Sequence, residues 1–340
     1  MKTYNNLWSQ FISFENLYLG YRRAAKCKYY RQEVLKFSKD LEENLIELQN
    51  ELIWSMYQPS EPRLFYVYEP KKRLISAPAF KDRIVHHALC AVIEPLIDKK
   101  FIYDTYACRK EKGTLAAVQR VQHFTRLAKR NYGSYYVFKG DIHSFFPSIN
   151  HDILKSQIRR TICDKKIIWL MDTIIDSTGE IGLPIGALTS QLFANLMLNP
   201  LDHLIKEEMG IKYYVRYMDD ITLILKSKKE AQKVNREITN YVEQKLGLTM
   251  NTKSQIIRAS QGIPFCGFRI WPTHILPNKP TLRRGKRRLK KLAYLHNKGF
   301  ISLDAFRASL MSFLGHYKYC NSRRSIESAL DRIVLTGERK

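Results

Sequence analysis

The sequence lacks any long run of apolar residues. A helix that crosses a membrane needs about 18 or more of them in succession, and no such stretch occurs. The first ten residues, MKTYNNLWSQ, also lack the apolar segment of a secretory signal peptide. We therefore expect a protein that works in the cytoplasm and has no membrane partner.

Cysteine is scarce, and its spacing argues against two common uses of the residue. None of the six cysteines stands in a C-x-x-C pair, the spacing that is typical of zinc sites and redox motifs. The pattern argues against a zinc site and against a disulfide framework, and it favours reduced thiols. The six residues are Cys27, Cys90, Cys108, Cys163, Cys266 and Cys320.

Acidic residues are few relative to basic ones. The chain has 57 Lys and Arg against 32 Asp and Glu, a formal net charge of +25. Such an excess repels itself, so it usually has a polyanionic partner, and nucleic acid is the first candidate. A basic protein of the membrane surface is the competing interpretation, but the sequence shows no long amphipathic helix with Trp or Phe on its apolar face.

Apolar spacing indicates a mixture of helices and short strands. With 340 residues and 45% hydrophobic residues, the chain can form two or three packed subdomains. Spacings of three and four predict helices, with Pro59 ending the first helix and Thr114 capping the third; they cover 36–58, 82–98, 113–130, 151–176, 189–208 and 228–246. Strands are predicted in 63–78 around a basic turn, up to Asp141, on both sides of 218–220, and in 254–270. The mixture indicates an α+β fold with antiparallel strands.

The C-terminal part is strongly basic. The stretch TLRRGKRRLKKLAYLHNKG (281–299) carries seven Lys or Arg between Arg283 and Lys291, and its leucines recur on one helical face. A solvated helix is one interpretation, but without acidic partners the positive charges repel one another. A helix that lies against phosphates relieves this repulsion. The candidates for nucleic-acid contact in this helix are Arg287, Arg288, Lys290 and Lys291.

Two adjacent aspartates, Asp219 and Asp220, stand between two strand-like runs in YYVRYMDDITLIL (213–225). Neighbouring carboxylates repel each other, so a solvated turn is one interpretation. A second interpretation includes Asp141, which ends the strand-like stretch SYYVFKGD. If the strands are neighbours in a sheet, the three acids meet at one end and raise one another's pKa values. Two Mg²⁺ ions would neutralise them, polarise an attacking hydroxyl and stabilise a leaving phosphate.

Seven ordered motifs make the chain resemble the reverse transcriptases from about Arg63 to Asn297. They are RLISAPAFKDRIVHHAL, FIYDTYACRKEKGT, KGDIHSFFPSI, LPIGALTSQLFANLMLN, YVRYMDD, GLTMNTKSQII and FCGFRI. The resemblance implies a fold like a right hand, with fingers, an antiparallel palm sheet and a helical thumb. It predicts an N-terminal helical extension over 1–60, fingers over 61–90 and 150–185, palm over 91–149 and 186–272, and a basic helical thumb over 273–340.

The fourth motif departs from the common family pattern of Gln-Gly followed by Ser-Pro. Ile185 and Gly186 are followed here by Ser190 and Gln191, a form that looks like the reverse transcriptases of diversity-generating retroelements. Those enzymes copy a template-repeat RNA into cDNA with errors at adenines, and bacteria or phages encode them. The alternative is a retron-like or abortive-infection reverse transcriptase in phage defence, although the retron signatures N-A-x-x-H and V-T-G are absent. Group II intron maturases usually carry extra segments, for which no residues remain after Lys340.

The resemblance also implies roles for the acids. Asp141 and Asp219 would bind two Mg²⁺ ions, with the Ile142 carbonyl as a further ligand, and Mn²⁺ could substitute. Asp220 would be the third acid, nearer the primer 3′ end. An RNA-binding protein that keeps the fold without the chemistry is a third hypothesis, and the intact acids argue against it.

Further positions match the family's substrate contacts. Arg73 would hold the triphosphate, because a guanidinium binds phosphate oxygens bidentately. Phe146 would lie beneath the sugar and exclude a 2′-hydroxyl, with core packing as the alternative, and Phe145 is expected to be core. Lys253 would stabilise or protonate the departing pyrophosphate. Ile185, Gly186 and Gln191 would also border the nucleotide.

Two more predictions concern nucleic acid and partners. Cys266, Gly267 and Phe268 match the hairpin that grips the primer end, and Gly267 would allow close backbone approach. Arg83 would contact the template or pair near Asp82. The expected partners are template RNA, the cDNA/RNA duplex, dNTPs and a small basic pentameric accessory variability protein.

Overall fold

The computed structural model describes residues 3–68, 71–331 and 333–335. Helices and antiparallel sheets alternate along these residues, and the predicted α+β fold class is confirmed. Within the described ranges, no helix combines the length and apolar character that crossing a membrane requires.

The N-terminal part consists of four helices, and the single helix predicted over 36–58 is wrong. The helices are α1 (Trp8–Ile12), α2 (Phe14–Ala25), α3 (Gln32–Lys39) and α4 (Leu41–Ile53). The backbone of Asp40 leaves the helical region and separates α3 from α4. Ser55, with φ of +57°, ends α4 well before Pro59.

A long hairpin follows, formed by β1 (Arg63–Val67) and β2 (Arg73–Ala77). The strands pair antiparallel, with Phe65 opposite Ile75, as the sequence predicted. Every residue of β1 is exposed, so the hairpin projects from the body of the protein. The predicted basic turn between the strands includes residues 69 and 70, which lie outside the described residues.

The central sheet has four antiparallel strands in the order β4-β5-β3-β6. They are β3 (Tyr136–Gly140), β4 (Tyr214–Tyr217), β5 (Asp220–Leu225) and β6 (Gln255–Arg258). Successive side chains of a strand point to opposite faces, so the sheet separates two hydrophobic cores. Phe138 packs into the larger core with Ile238, and Val137 packs into the second core with Phe124.

Eight helical segments pack around this sheet; the segment over Thr114–Tyr132 contributes to the second core, and the other seven extend the larger core. The eight segments are α5 (Phe80–Asp98), α6 (Thr114–Tyr132), α7 (His151–Arg159), α8 (Lys165–Asp176), α9 (Leu188–Met197), α10 (Asn199–His203), a π-helical turn (Leu204–Glu208) and α11 (Lys228–Leu246). The predictions over 82–98 and 228–246 correspond to α5 and α11.

Three predicted helix features differ from the structure. Gly113 rather than Thr114 occupies the cap position of α6, with φ of +106°. The helix predicted over 151–176 is two helices, because Asp164 accepts from Lys166 N and Ile167 N and caps α8. The helix predicted over 189–208 divides at Leu198, where Pro200 enters the first turn of α10.

The C-terminal part combines a small sheet with three helices. The sheet contains β7 (Ile263–Phe265), β8 (Phe268–Ile270) and β9 (Ile275–Pro277), in that order. The helices are α12 (Lys279–Asn297), α13 (Leu303–Tyr317) and α14 (Arg323–Leu330). The basic helix predicted over 281–299 is therefore α12, and its Leu289 packs into the second core with Phe313.

Candidate active site

The turn between β4 and β5 carries the aspartate doublet. Tyr217 pairs with Asp220, which leaves Met218 and Asp219 as a two-residue connection. Met218 has φ of +57°, a left-handed conformation that a bulky side chain rarely adopts. Tertiary contacts must hold such a residue, and its conformation sets the direction of the Asp219 side chain.

Asp141 and Asp219 lie next to each other. Asp141 follows β3 directly, and β3 pairs with β5 up to Gly140 opposite Ile221. Burial and the negative charge of Asp141 raise the pKa of Asp219 to about 6. The structure therefore brings together the two residues that were predicted to bind metal ions. Two neighbouring carboxylates fit a bound cation, because the cation removes the repulsion that raises the pKa of Asp219.

The third acid lies near the other two and also contacts a cation. The charge of Asp220 adds to the rise in the pKa of Asp219, and the charge of Asp141 raises the pKa of Asp220, as expected for three neighbouring carboxylates. The Lys139 ammonium contacts the Asp220 carboxylate and donates to Thr222 Oγ1 at 3.1 Å. Burial raises the pKa of Asp220, and the charge of Lys139 opposes that rise. In the part of the chain that the structure describes, no group of three Asp, Glu, His or Cys side chains is gathered as a metal site.

Two residues that sequence reasoning missed hold the acids in place. Lys139 precedes Asp141 by two positions, a strand spacing that could have placed both on one face. Asn251 donates through Nδ2 to Asp141 Oδ2 at 3.0 Å, and its backbone N–H donates to Asp141 O at 2.7 Å. No local pattern connects Asn251 with a residue 110 positions earlier.

The backbone around Ile142 is oriented by the same segment. His143 N donates to Thr249 O at 2.8 Å, and Ile142 lies opposite Met250 in an isolated antiparallel bridge. In such a pair the flanking residues make the hydrogen bonds, so the Ile142 carbonyl points away from Met250. This direction is compatible with its predicted role as a further metal ligand.

The fourth motif docks against the projecting hairpin. Ser76 N donates to Ile185 O at 2.9 Å, so the loop continues the edge of β2. Gly186 has φ of +133°, and a Cβ there would lie 2.7 Å from Ser76 O. Only glycine fits this close approach. The contact joins the loop to β2, the strand that begins with the exposed Arg73.

The remaining nucleotide candidates lie in different environments. Phe145 is buried in the larger core as predicted, and Phe146 is half-buried with its ring 5.6 Å from that of Phe145. Gln191 is exposed near the start of α9. Lys253 is exposed, and its backbone N–H donates to Asn251 Oδ1 at 3.0 Å, which places it two residues after the amide that holds Asp141.

The predicted primer hairpin is the tight turn between β7 and β8. Cys266 and Gly267 both have positive φ, 46° and 83°, as in a two-residue hairpin turn. Burial and the charge of Asp220 raise the pKa of Cys266 to about 12, so the turn lies close to the acids. Phe268 is only 4% exposed and stacks on His316, so a direct contact of its ring with a primer is excluded in this conformation.

The basic candidates divide into two groups. Arg287, Arg288, Lys290 and Lys291 are all exposed on α12. Three of them, without Lys290, line a groove of about 1090 Å³ between α12 and α13. Arg83, by contrast, is half-buried and held by contacts within the protein, because its guanidinium pairs with Glu33 at 2.9 Å and donates to Pro78 O at 2.8 Å. The structure therefore favours an intramolecular role for Arg83, with Glu33 rather than a group near Asp82 as the partner.

The fold and this acid pair define a template-directed polymerase, and comparison with known proteins identifies the family. A family model described as reverse transcriptase (RNA-dependent DNA polymerase) matches residues 68–270, more than half of the chain. The chain therefore belongs to the reverse transcriptase family. The prediction of an enzyme of the class RNA-directed DNA polymerase is confirmed.

Three related proteins show the range of similarity. Protein YkfC of Escherichia coli is 26% identical over 267 residues, which cover 66% of this chain and 70% of YkfC. The putative COX1/OXI3 intron 1 protein of Saccharomyces cerevisiae is 23% identical over 71% of this chain and 36% of its own length. The group II intron-encoded protein LtrA of Lactococcus lactis is 25% identical over 56% of this chain and 32% of its own length. The chain thus spans about a third of the length of these two intron proteins.

Solved structures support the fold. Apo telomerase from Candida tropicalis aligns with a TM-score of 0.54 and 15% identity, over 81% of this chain and 57% of that chain. At this identity the likeness shows the fold alone, and it confirms the predicted right-hand polymerase fold. The diversity-generating subtype and the residue boundaries of fingers, palm and thumb stay predictions.

Proposed function

We propose that this chain synthesises DNA on an RNA template by two-metal nucleotidyl transfer. The observation that carries the proposal is the pair Asp141 and Asp219 at the end of two adjacent strands, in a chain of the reverse transcriptase family. The pair offers hard oxygen ligands, which Mg²⁺ prefers. The net charge of +25 supports nucleic acid as the substrate.

The residues around the acids would divide the chemical work. Asp141, Asp219 and the Ile142 carbonyl would hold two Mg²⁺ ions (or Mn²⁺ in their place), which would supply Lewis acidity for the attacking hydroxyl and the leaving phosphate. Asn251 fixes Asp141, and Lys139 keeps a positive charge beside Asp220, the acid nearer the primer end.

Residues outside the acid pair would hold the nucleotide. Arg73 projects from the exposed hairpin and would bind the triphosphate bidentately. Phe146 would lie beneath the sugar, where its ring disfavours a 2′-hydroxyl. Lys253 would stabilise the departing pyrophosphate with its positive charge or donate a proton to it. Gly186 and Ile185 would border the base pair from the loop that β2 holds.

For the biological role, we propose cDNA synthesis from a template-repeat RNA, with errors at adenines, for diversification of a target gene. The Ile185–Gly186 and Ser190–Gln191 pattern supports this subtype. The alternative is a retron-like or abortive-infection enzyme in phage defence. Under the first role the partners would be the template RNA, the cDNA/RNA duplex and a small basic pentameric accessory protein, in the cytoplasm.

Primer extension on a primed RNA template tests the activity. With dNTPs and Mg²⁺, the parent protein should extend the primer, and the double variant Asp219→Asn/Asp220→Asn should not, while both bind RNA equally. Asp176→Asn changes an exposed acid that pairs with Lys155 and serves as the control, with parental activity expected. Extension by the double variant would refute the assignment of these acids.

A further inference from the structure

A fully buried arginine lies behind the aspartate turn. Arg216, in β4, is 0% exposed and is the largest of the fully buried side chains in the described residues. Its guanidinium pairs with Asp202, with Nε 2.8 Å from Oδ1 and Nη2 2.6 Å from Oδ2. Nη2 also donates to Asn195 O at 3.2 Å, and Nη1 donates to Asn195 Oδ1 at 3.2 Å. The fifth hydrogen bond runs from Nη1 to Met218 O at 2.9 Å.

The five N–H groups of the guanidinium are thus all used. Asp202 is equally occupied, because it also accepts from Tyr214 O–H at 2.5 Å and from Thr105 Oγ1 at 3.0 Å. The Arg216 backbone is fixed as well, since its N–H donates to Asp104 O at 3.0 Å. These contacts fix the position of the guanidinium relative to three elements. They are β4, which carries Arg216, α10, which carries Asp202, and the end of α9, which carries Asn195.

The one contact that leaves this network goes to the strained residue of the turn. Met218 has a positive φ, which costs free energy unless its surroundings favour it. Its carbonyl is held by Arg216, and the next residue is Asp219. A buried ion pair gives little net stability compared with well-packed apolar residues, so stability alone does not account for Arg216.

We propose that Arg216 is a positioning residue for the reaction. By holding the Met218 carbonyl, it keeps the turn in the conformation that directs Asp219 toward Asp141. The inference rests on the proposed function, since it assigns to Arg216 the geometry of the metal-binding pair. Asp202 and Asn195 act through Arg216, because they hold its guanidinium in place.

The test separates positioning from folding by removing both charges together. Arg216→Met alone leaves Asp202 buried without its counter-charge, so its Tm should fall steeply. The double variant Arg216→Met/Asp202→Asn removes both charges, so it should recover much of that Tm. It should still lack the hydrogen bond to Met218 O. Arg216→Lys keeps the charge but cannot reproduce the planar fork, so it should share the functional defect.

Two functional readouts follow for the folded variants. Binding of Mn²⁺, measured by electron paramagnetic resonance, should weaken about 10- to 100-fold, the usual effect of losing a residue that orients metal ligands. In primer extension, kcat should fall by a similar factor while KM for dNTP changes little. Arg120→Met is the matched control. It breaks the 2.7 Å ion pair between Arg120 and Asp104, which lies beside β4, but Arg120 does not contact the turn. It should lower Tm and keep parental Mn²⁺ binding.

The outcomes distinguish this inference from the proposed function. A parent protein without polymerase activity contradicts the proposed function. An active parent, together with a folded double variant that has parental Mn²⁺ affinity and kcat, overturns the role of Arg216 alone. Weaker Mn²⁺ binding and lower kcat in both Arg216→Lys and the double variant, with Arg120→Met unaffected, support it.

Discussion

At the scale of single residues, the candidate site depends on positions where only one side chain fits. Gly186 is the clearest, because a Cβ there would meet Ser76 O at 2.7 Å and its φ of +133° is strained for other residues. We expect Gly186→Ala to lower the free energy of unfolding by about 1–3 kcal/mol and to raise KM for dNTP. Denaturant unfolding and primer-extension kinetics measure the two effects.

Gly179→Ala is the control for that substitution. Gly179 also has a positive φ, +102°, but a Cβ there meets nothing within 4 Å. Gly179→Ala therefore introduces the same kind of backbone strain as Gly186→Ala, but it does not disturb a contact with β2. Equal loss of stability and unchanged KM in both variants would mean that the loop contact has no role in nucleotide binding.

A second residue-scale prediction concerns fidelity and Ile185. The glutamine usual in the family can hydrogen-bond near the incoming sugar, whereas isoleucine offers only apolar contact. Since tenfold discrimination corresponds to about 1.4 kcal/mol, one such hydrogen bond is worth roughly an order of magnitude. We expect the parent to make frequent errors and Ile185→Gln to make fewer, with the largest gain opposite template adenine.

Sequencing of cDNA made by both enzymes on one RNA template checks this expectation. The preference for adenine comes from the family resemblance and not from the chemistry of Ile185. If the parent copies adenine as accurately as the other bases, the diversity-generating subtype is wrong and the retron-like alternative replaces it.

At the scale of secondary-structure elements, α12 is the main candidate for phosphate contacts. Replacing Arg287, Arg288, Lys290 and Lys291 with Gln should weaken binding to primed RNA and flatten its salt dependence. Each lost phosphate contact lowers the log–log slope by about 0.9 on duplex DNA, and we expect a similar change here. Binding titrations at several salt concentrations measure this slope.

The matched control changes the same amount of charge on another helix. Lys228, Lys229, Lys233 and Arg236 are exposed on α11, and their replacement with Gln removes four positive charges as well. We expect this variant to keep a steeper slope than the α12 variant. Identical slopes would indicate that only the total charge matters and that α12 is a solvated helix.

At the scale of the whole molecule, one buried histidine makes stability depend on pH. His86 in α5 is 5% exposed, and its Nδ1 has no hydrogen-bond partner among the described residues. Burial lowers its pKa to about 4, with a smaller effect from His87. In the unfolded chain the same histidine has an ordinary pKa near 6.5. Between pH 4 and 6.5 the unfolded chain therefore binds more protons than the folded protein. The free energy of unfolding should therefore fall as pH drops from about 6.5 to 4, by up to about 3 kcal/mol.

A difference measurement isolates this contribution. Asp82, nearby in α5, has a pKa raised by burial, so its effect on stability has the opposite sign. Asp82 and His87 are unchanged in His86→Gln, and the pH slope of that variant should be flatter than that of the parent between pH 4 and 6.5. His123→Gln, at an exposed position, should keep the parental slope. A parental slope in His86→Gln would contradict the prediction.

The sequence by itself determined the family and the fold class, and it predicted the three acids of the site. These features depend on local patterns: apolar spacing for α5 and α11, alternation for the strands, and short motifs such as YVRYMDD. The adjacency of β3 and β5 was a condition for a shared acid site rather than a prediction, and the structure shows that the two strands pair. Helix boundaries were less predictable, since Asp40, Gly113 and Asp164 redirect the chain through single backbone conformations and caps.

The tertiary structure alone decided how the acids are held. Lys139 contacts Asp220, Asn251 binds Asp141 from 110 residues away, and Arg216 joins the turn to Asp202 and Asn195. The tertiary structure also buries Phe268 in the core and pairs Arg83 with Glu33. Such contacts join residues that are distant in sequence, and a side chain with one charge has many candidate partners until packing brings one of them within reach.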